Sequence, residues 1–216
     1  MINLYSDSRC PFSHSARLVL STKDMDYKII DATINGQRQD LMVLNPYSET
    51  PVLVDDIDKN NKKRDLVLSD PTIICEYIDE RFPHPQLMPI EPSEKARLRM
   101  LMRHCDREIF SHVRTVEKHL KTKDSKLKKE LDTAKKAISA GLDSISSLFV
   151  ASKKSEHLFG NTFTLLDAAV LPLIWRLKYY NIDTKQNWTG MLKYAEKFFE
   201  TPEFIASLTP AERGMR

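Results

Sequence analysis

The stretch Pro71-Thr72-Ile73-Ile74-Cys75-Glu76-Tyr77-Ile78-Asp79-Glu80-Arg81-Phe82-Pro83-His84-Pro85-Gln86-Leu87-Met88-Pro89 decides how the chain is divided. Apolar residues fall at Ile74, Tyr77, Ile78 and Phe82, a helical spacing that buries one face. Asp70 before Pro71 is a helix start, an acceptor side chain followed by a residue with no amide hydrogen to leave unpaired. The helix must stop near Phe82, because Pro83, Pro85 and Pro89 each restrict the residue before them. A buried helix therefore runs into a stiff, exposed Pro-His-Pro corner. It reads as the join between two domains and as the surface best suited to a partner.

Upstream, the pattern is that of a small α/β layer. Residues 2–5 form a short apolar strand, and a turn through Ser6, Asp7 and Ser8 leads to Cys10-Pro11-Phe12-Ser13. A helix over about 16–23 follows, with Ala16, Val19 and Leu20 on one face. Residues 27–30 predict a second strand, and 41–44 a short helix ended by Pro46. Residues 50–54 predict a third strand, with Pro51 near its start where a missing ladder donor does least harm. Val67-Leu68 is a fourth, reached through a polar excursion from Asp55 to Asp65. The layer is complete before Pro83.

Downstream of Pro92 no strand pattern remains. Ser93 is the expected N-cap of a long helix over 94–120. After a basic turn a second helix spans 127–150. Thr164-Leu165-Leu166-Asp167 reads as a capping box opening a helix over 165–179, apolar nearly all round and carrying Pro172, which predicts a kink. A helix over 193–199 and a last capped turn, Thr209-Pro210-Ala211-Glu212, finish the chain. The expected division is 1–83, a proline-rich linker over 84–92, and an all-helical part over 93–216.

Composition narrows the function classes. The 216 residues are 41% hydrophobic and 29% charged, as in a soluble globular protein. The net charge of +3 is too slight to argue for nucleic acid. No stretch approaches the ~20 apolar residues of a membrane helix, and the start, Met1-Ile2-Asn3-Leu4-Tyr5, lacks the pattern of a secretory signal. Cys10, Cys75 and Cys105 have no metal-ligand spacing and cannot all pair, so a reducing cytoplasm is the expected home and no metal is expected.

Two stretches carry chemistry. Prolines on both sides of His84 leave it little backbone entropy to lose on binding, although a plain linker with an exposed histidine is the simpler account from the residues alone. Cys10 at the start of a helix is placed where amide dipoles favour a thiolate. Cys75 and Cys105 read as core residues. The basic run 118–129 reads as a solvated turn. His104, His112 and His119 read as a surface or interface stripe, and Met100, Leu101 and Ile109 as core or dimer contact.

The two-domain order, with Thr50-Pro51 opening a strand and Thr164-Leu165-Leu166-Asp167 opening a buried helix, resembles the glutathione transferase fold. That implies an α/β, thioredoxin-like N-terminal domain followed by an all-α C-terminal one, with Pro51 as a cis-proline beside a glutathione site. Three segments, 77–89, 171–177 and 204–213, resemble the bacterial stringent starvation protein A family, and the likeness covers nearly the whole chain. It implies an RNA polymerase-associated regulator of stress and stationary phase, homodimeric through parts of the helices at 71–82 and 94–120. It also implies no cofactor and no transferase activity, and no sequence-specific DNA binding is expected. The polymerase contact falls on Pro83, His84 and Pro85, with Tyr77 and Arg81 near them. The vestige of a glutathione site falls on Cys10, Thr50, Pro51, Asp70 and Pro71. In active transferases the residue after the acidic one is a serine that donates to the γ-glutamyl carboxylate. Pro71 offers neither hydroxyl nor amide hydrogen, a loss of about 3 kcal/mol or more, roughly a hundredfold in affinity. The alternative is a cysteine-type, glutathione-dependent thiol transferase using Cys10. The excursion with Lys62-Lys63-Arg64 at its tip is longer than the turn usual in that family.

Overall fold

The computed structural model describes residues 1–34, 37–57, 65–122, 128–151 and 156–216. The tip Lys62-Lys63-Arg64 and the middle of the basic run, 123–127, lie outside the described residues.

The first compact unit comprises Met1–Leu87 together with Phe199–Met215. Four strands, β1 (Ile2–Ser6), β2 (Tyr27–Asp31), β3 (Val52–Asp55) and β4 (Leu66–Leu68), form one sheet in the order β2-β1-β3-β4. β1 runs parallel to β2, pairing Leu4 with Ile29, and antiparallel to β3, pairing Leu4 with Leu53; β4 closes the other edge antiparallel to β3. Alternation along β1 buries Ile2 and Leu4 in the core. Three helices belong to this part of the chain: α1 (Pro11–Ser21), α2 (Gln37–Leu44) and α3 (Pro71–Arg81). Leu41 of α2 packs with Ala32 and Val52, joined by Tyr5 and Leu44.

α1 starts at Pro11, five residues before the expected start near Ala16. Its turns are buried almost all round, and that burial includes Ser13, His14, Ser15 and Arg17. An apolar-period reading cannot see an enclosed helix whose inward positions are polar. The end of the chain supplies what encloses it. A short helix, here α9 (Pro202–Ser207), packs on α1 and is capped by Thr201, whose hydroxyl accepts from the Phe204 amide at 3.4 Å. Six residues are too few for a periodic signal, so α9 has no sequence-based expectation. The tail expected in the helical part therefore packs with the N-terminal unit.

The second unit comprises Met88–Phe198 and Arg216. The single helix expected over 94–120 is three pieces: α4 (Pro92–Cys105), a π-helical segment Asp106–Phe110, and α5 (Ser111–Thr122). Its cap is Glu91 rather than Ser93. The Glu91 carboxylate accepts from the Glu94 amide at 2.9 Å and from the Ser93 hydroxyl, and Pro92 takes the first helical position. The π segment meets α6 (Lys128–Ala151) at Gly141, where a Cβ would lie 2.3 Å from Ile109 Cγ1. The added residue of the π turn thus turns Ile109 into a contact only glycine permits.

α7 (Leu165–Trp175) is buried along almost its whole length and ends three residues after Pro172, short of the expected Tyr179. The fully buried Arg176 follows it and donates from Nη1 to the Pro172 carbonyl at 2.8 Å. At its start, the Asp167 carboxylate accepts from the amide and hydroxyl of Thr164 at 2.8 and 2.7 Å, from the Leu158 amide at 2.9 Å and from the Tyr194 hydroxyl at 2.7 Å. A 3₁₀ turn, Gln186–Trp188, and α8 (Thr189–Phe199) complete the helical part.

Candidate functional site

Both candidate stretches lie in the first unit. At the start of α3, Asp70 Oδ1 accepts from the amides of Thr72 at 2.9 Å and Ile73 at 3.1 Å, with Pro71 at the first helical position. Asp70 is therefore a helix cap. At the other end of α3, Pro83, His84, Pro85 and Gln86 are all exposed. The peptide bonds Thr50-Pro51 and His84-Pro85 are both cis, the first as the fold resemblance implies.

The corner is held from beneath. Lys23 lies just past α1 with its Nζ 2.7 Å from Asp79 Oδ1, and both side chains are buried. The same Nζ donates to the Pro85 carbonyl, and Asp79 Oδ1 also accepts the Leu87 amide at 2.8 Å. A second carboxylate holds the neighbouring helix face. The Tyr77 hydroxyl donates to Asp55 Oδ2 at 2.6 Å, and Arg81 Nε lies 3.6 Å from the same oxygen. Burial, with the hydrogen bond to Asp55 and that carboxylate's charge, pushes the Tyr77 phenol up to about 12. Arg81 is exposed and its guanidinium sits 5.7 Å from the Phe82 ring centroid. So Pro83, His84 and Pro85 form an exposed run, with exposed Arg81 on the other side of half-buried Phe82, while Tyr77 is half-buried and engaged with β3.

Cys10 is the N-cap residue of α1, only 6% exposed, and its thiol donates to the Thr50 carbonyl at 3.9 Å beside cis-Pro51. The fold brings Cys10, Thr50 and Pro51 together. None of Cys10, Cys75 and Cys105 is in a disulfide. Burial pushes Cys75 and Cys105 each up to about 12, from an ordinary 9.0. At pH 8 native protein is therefore expected to leave Cys75 and Cys105 unmodified by iodoacetamide and to yield both in denaturant, read by peptide mass spectrometry. Above pH 9.0 the unfolded chain ionises these thiols and the folded chain does not, so their contribution to stability falls as pH rises toward 12.

Several side chains around this region were not visible in sequence. Arg17 donates from Nη2 to both Glu212 oxygens at 2.6 Å, from Nε to the Ser207 carbonyl at 2.9 Å, and from Nη1 to the Ser6 hydroxyl. His14 Nε2 lies 2.9 Å from the Ser207 hydroxyl, and the Thr209 hydroxyl donates to the Ser8 carbonyl at 2.6 Å. The tail thus grips the β1–α1 loop that carries Cys10. The capped turn at Thr209 was the one available signal. Glu212 accepts the Thr209 amide at 2.9 Å as expected, and its pairing with Arg17 comes in addition.

Elsewhere, Ile109 is a core residue but Met100 is 75% exposed. His104 is exposed, whereas His112 and His119 are half-buried on α5. Among the described residues no cluster of three metal-ligating side chains occurs, and no helix is long and apolar enough to cross a membrane.

Residues 4–86 match the family model for the glutathione S-transferase N-terminal domain. A glutathione transferase from Methylococcus capsulatus shares the fold over 99% of both chains, with a TM-score of 0.79 at 23% identity. A glutathione transferase family member from Pseudomonas fluorescens, solved with two glutathiones bound, gives 0.78 at 17% identity over 95% of this chain and 91% of its own. The protein thus has the glutathione transferase fold, an α/β thioredoxin-like part followed by helices. Sequence similarity is more specific. The stringent starvation protein A homolog of Coxiella burnetii is 32% identical over 217 aligned residues, covering 100% of this chain and 95% of the relative. That of Haemophilus ducreyi is 31% identical over 209, covering 96% and 90%. Glutathione S-transferase omega-2 of Rattus norvegicus is 28% identical over 193, covering 89% and 72%. The chain belongs to the stringent starvation protein A family.

Proposed function

We propose that the protein is a cytoplasmic, homodimeric regulator of transcription under stress, which binds RNA polymerase and has no transferase chemistry of its own. The observation that carries this reading is the exposed run Pro83, His84, Pro85, with Arg81 beside it, set on a buried polar support. A preformed surface of this kind loses little entropy when a partner closes on it. The glutathione side supports the same reading. Asp70 uses its Oδ1 on its own helix, and Pro71 has no donor where a γ-glutamyl carboxylate would need one. Exposed Ile73 on α3 and Met100 on α4 offer apolar surface on the two helices assigned to the dimer.

The test is affinity capture of polymerase subunits from stationary-phase cells. Alanine at Pro83, His84 and Pro85 together is expected to cut capture at least about tenfold, as removing a hot spot does, with the circular dichroism spectrum unchanged. Undiminished capture by the folded variant would overturn the assignment.

A second reading has one observation in its favour, the Cys10 thiol on the Thr50 carbonyl beside cis-Pro51. It makes the protein a glutathione-dependent thiol transferase. Thiol exchange by wild type that is lost in Cys10→Ser, together with retention on glutathione resin competed by free glutathione, would establish that reading instead.

A further inference from the structure

We propose that the buried Lys23–Asp79 ion pair is the positioning element of the partner surface, setting the course of residues 82–87 so that Pro83, His84 and Pro85 are presented together. Neither residue touches the partner. The inference rests on the polymerase-contact reading above and deepens it.

The chemistry of the corner favours an external support. Pro83 and Pro85 have no amide hydrogen, so the segment is poor in backbone donors with which to hold its own turn. The Phe82 amide is spent closing α3 on the Ile78 carbonyl at 2.9 Å. The next described anchor is the Leu87 amide on Asp79 at 2.8 Å, and the Pro85 carbonyl between them is taken by Lys23. One ion pair thus fixes a carbonyl and an amide on the far limb of the corner.

The exposures of Lys23 and Asp79, 0% and 2%, bear on what the pair is for. A buried ion pair is a poor source of net stability, because desolvating two charges offsets most of their attraction. An apolar pair of the same volume fills such a site at least as well. It offers neither a donor for the Pro85 carbonyl nor an acceptor for the Leu87 amide. Directional support of the loop is what the charged pair supplies and an apolar pair lacks.

The experiment compares three variants. Lys23→Met/Asp79→Leu keeps the volume and removes both charges together. Lys23→Gln/Asp79→Asn also removes both charges but keeps a polar donor and acceptor, and serves if the first double variant fails to fold. Pro83→Ala/His84→Ala/Pro85→Ala tests the contact itself. In the first double variant, amide exchange over 82–87 is expected to rise about tenfold or more while β1 and α1 keep their protection. Polymerase capture is expected to fall at least about tenfold alongside it. Lys23→Gln/Asp79→Asn should move both readouts in the same direction by less. Unchanged exchange over 82–87 would overturn the inference, and so would full capture by a double variant whose corner exchanges faster. If instead the triple-alanine variant captures polymerase normally, the contact reading fails, and the docking role of the pair falls with it.

Discussion

Glu212→Ala is expected to destabilise the N-terminal unit by about 3–5 kcal/mol, because it leaves a buried guanidinium without its counter-charge. Both oxygens of this fully buried carboxylate accept from Arg17, one also accepts the Thr209 amide, and His14 Nδ1 lies 3.9 Å away. The Ser207 carbonyl and Ser6 hydroxyl remain as acceptors for Arg17, but neither carries charge. Both tryptophans, Trp175 and Trp188, belong to the other unit, so their fluorescence is the wrong probe. Hydrogen exchange of β1 and α1 in increasing urea reads the effect directly. A loss under about 1 kcal/mol would mean the pair is replaceable by water or by the remaining acceptors. Arg17→Met/Glu212→Leu removes both charges and should cost less than the two single changes added together.

Asp167→Ala is the second large effect, and it falls on the helical unit. The substitution strips four donors of their acceptor: the amides of Leu158 and Thr164 and the hydroxyls of Thr164 and Tyr194. Buried donors left unpaired cost about 1–3 kcal/mol each before relaxation, so a total of about 3 kcal/mol or more is expected. Burial pushes the Asp167 carboxyl above the usual carboxylate range, against the pull of those same donors. Tryptophan fluorescence in urea is the appropriate readout here. Tyr194→Phe removes one donor together with its acceptor bond and should cost about 1 kcal/mol. Equal losses from the two substitutions would contradict the assignment of Asp167 as the hub.

The parts of the fold that sequence made visible are those where one local rule suffices. Asp70-Pro71 marks a helix start by capping chemistry alone, and α3 begins there. Thr164 with Asp167, and Thr209 with Glu212, are caps three residues apart and fold as such. The strands follow apolar runs, and α1 and α2 fall in the connections between the first three of them. What stayed hidden depends on distant partners. Lys23 and Asp79 lie 56 residues apart, and each alone looks like an ordinary surface charge near a helix end. Arg17 and Glu212 are separated by 195 residues, and enclosure of α1 by the tail makes polar residues such as His14 interior. The π segment has no signature of its own in sequence. It packs Ile109 against the facing helix at Gly141, a contact far away in sequence. Of the candidate site, the exposed corner was legible because proline chemistry is local. The buried pair beneath it was not.

The tail's place in the first unit has a consequence for synthesis. A ribosome that has made everything through Phe198 has delivered the whole sheet but none of the strap that covers His14 and Arg17. The domain made first is thus completed only after the whole helical unit has been made. A stop codon placed between Phe199 and Pro202 should therefore injure the N-terminal half of the protein.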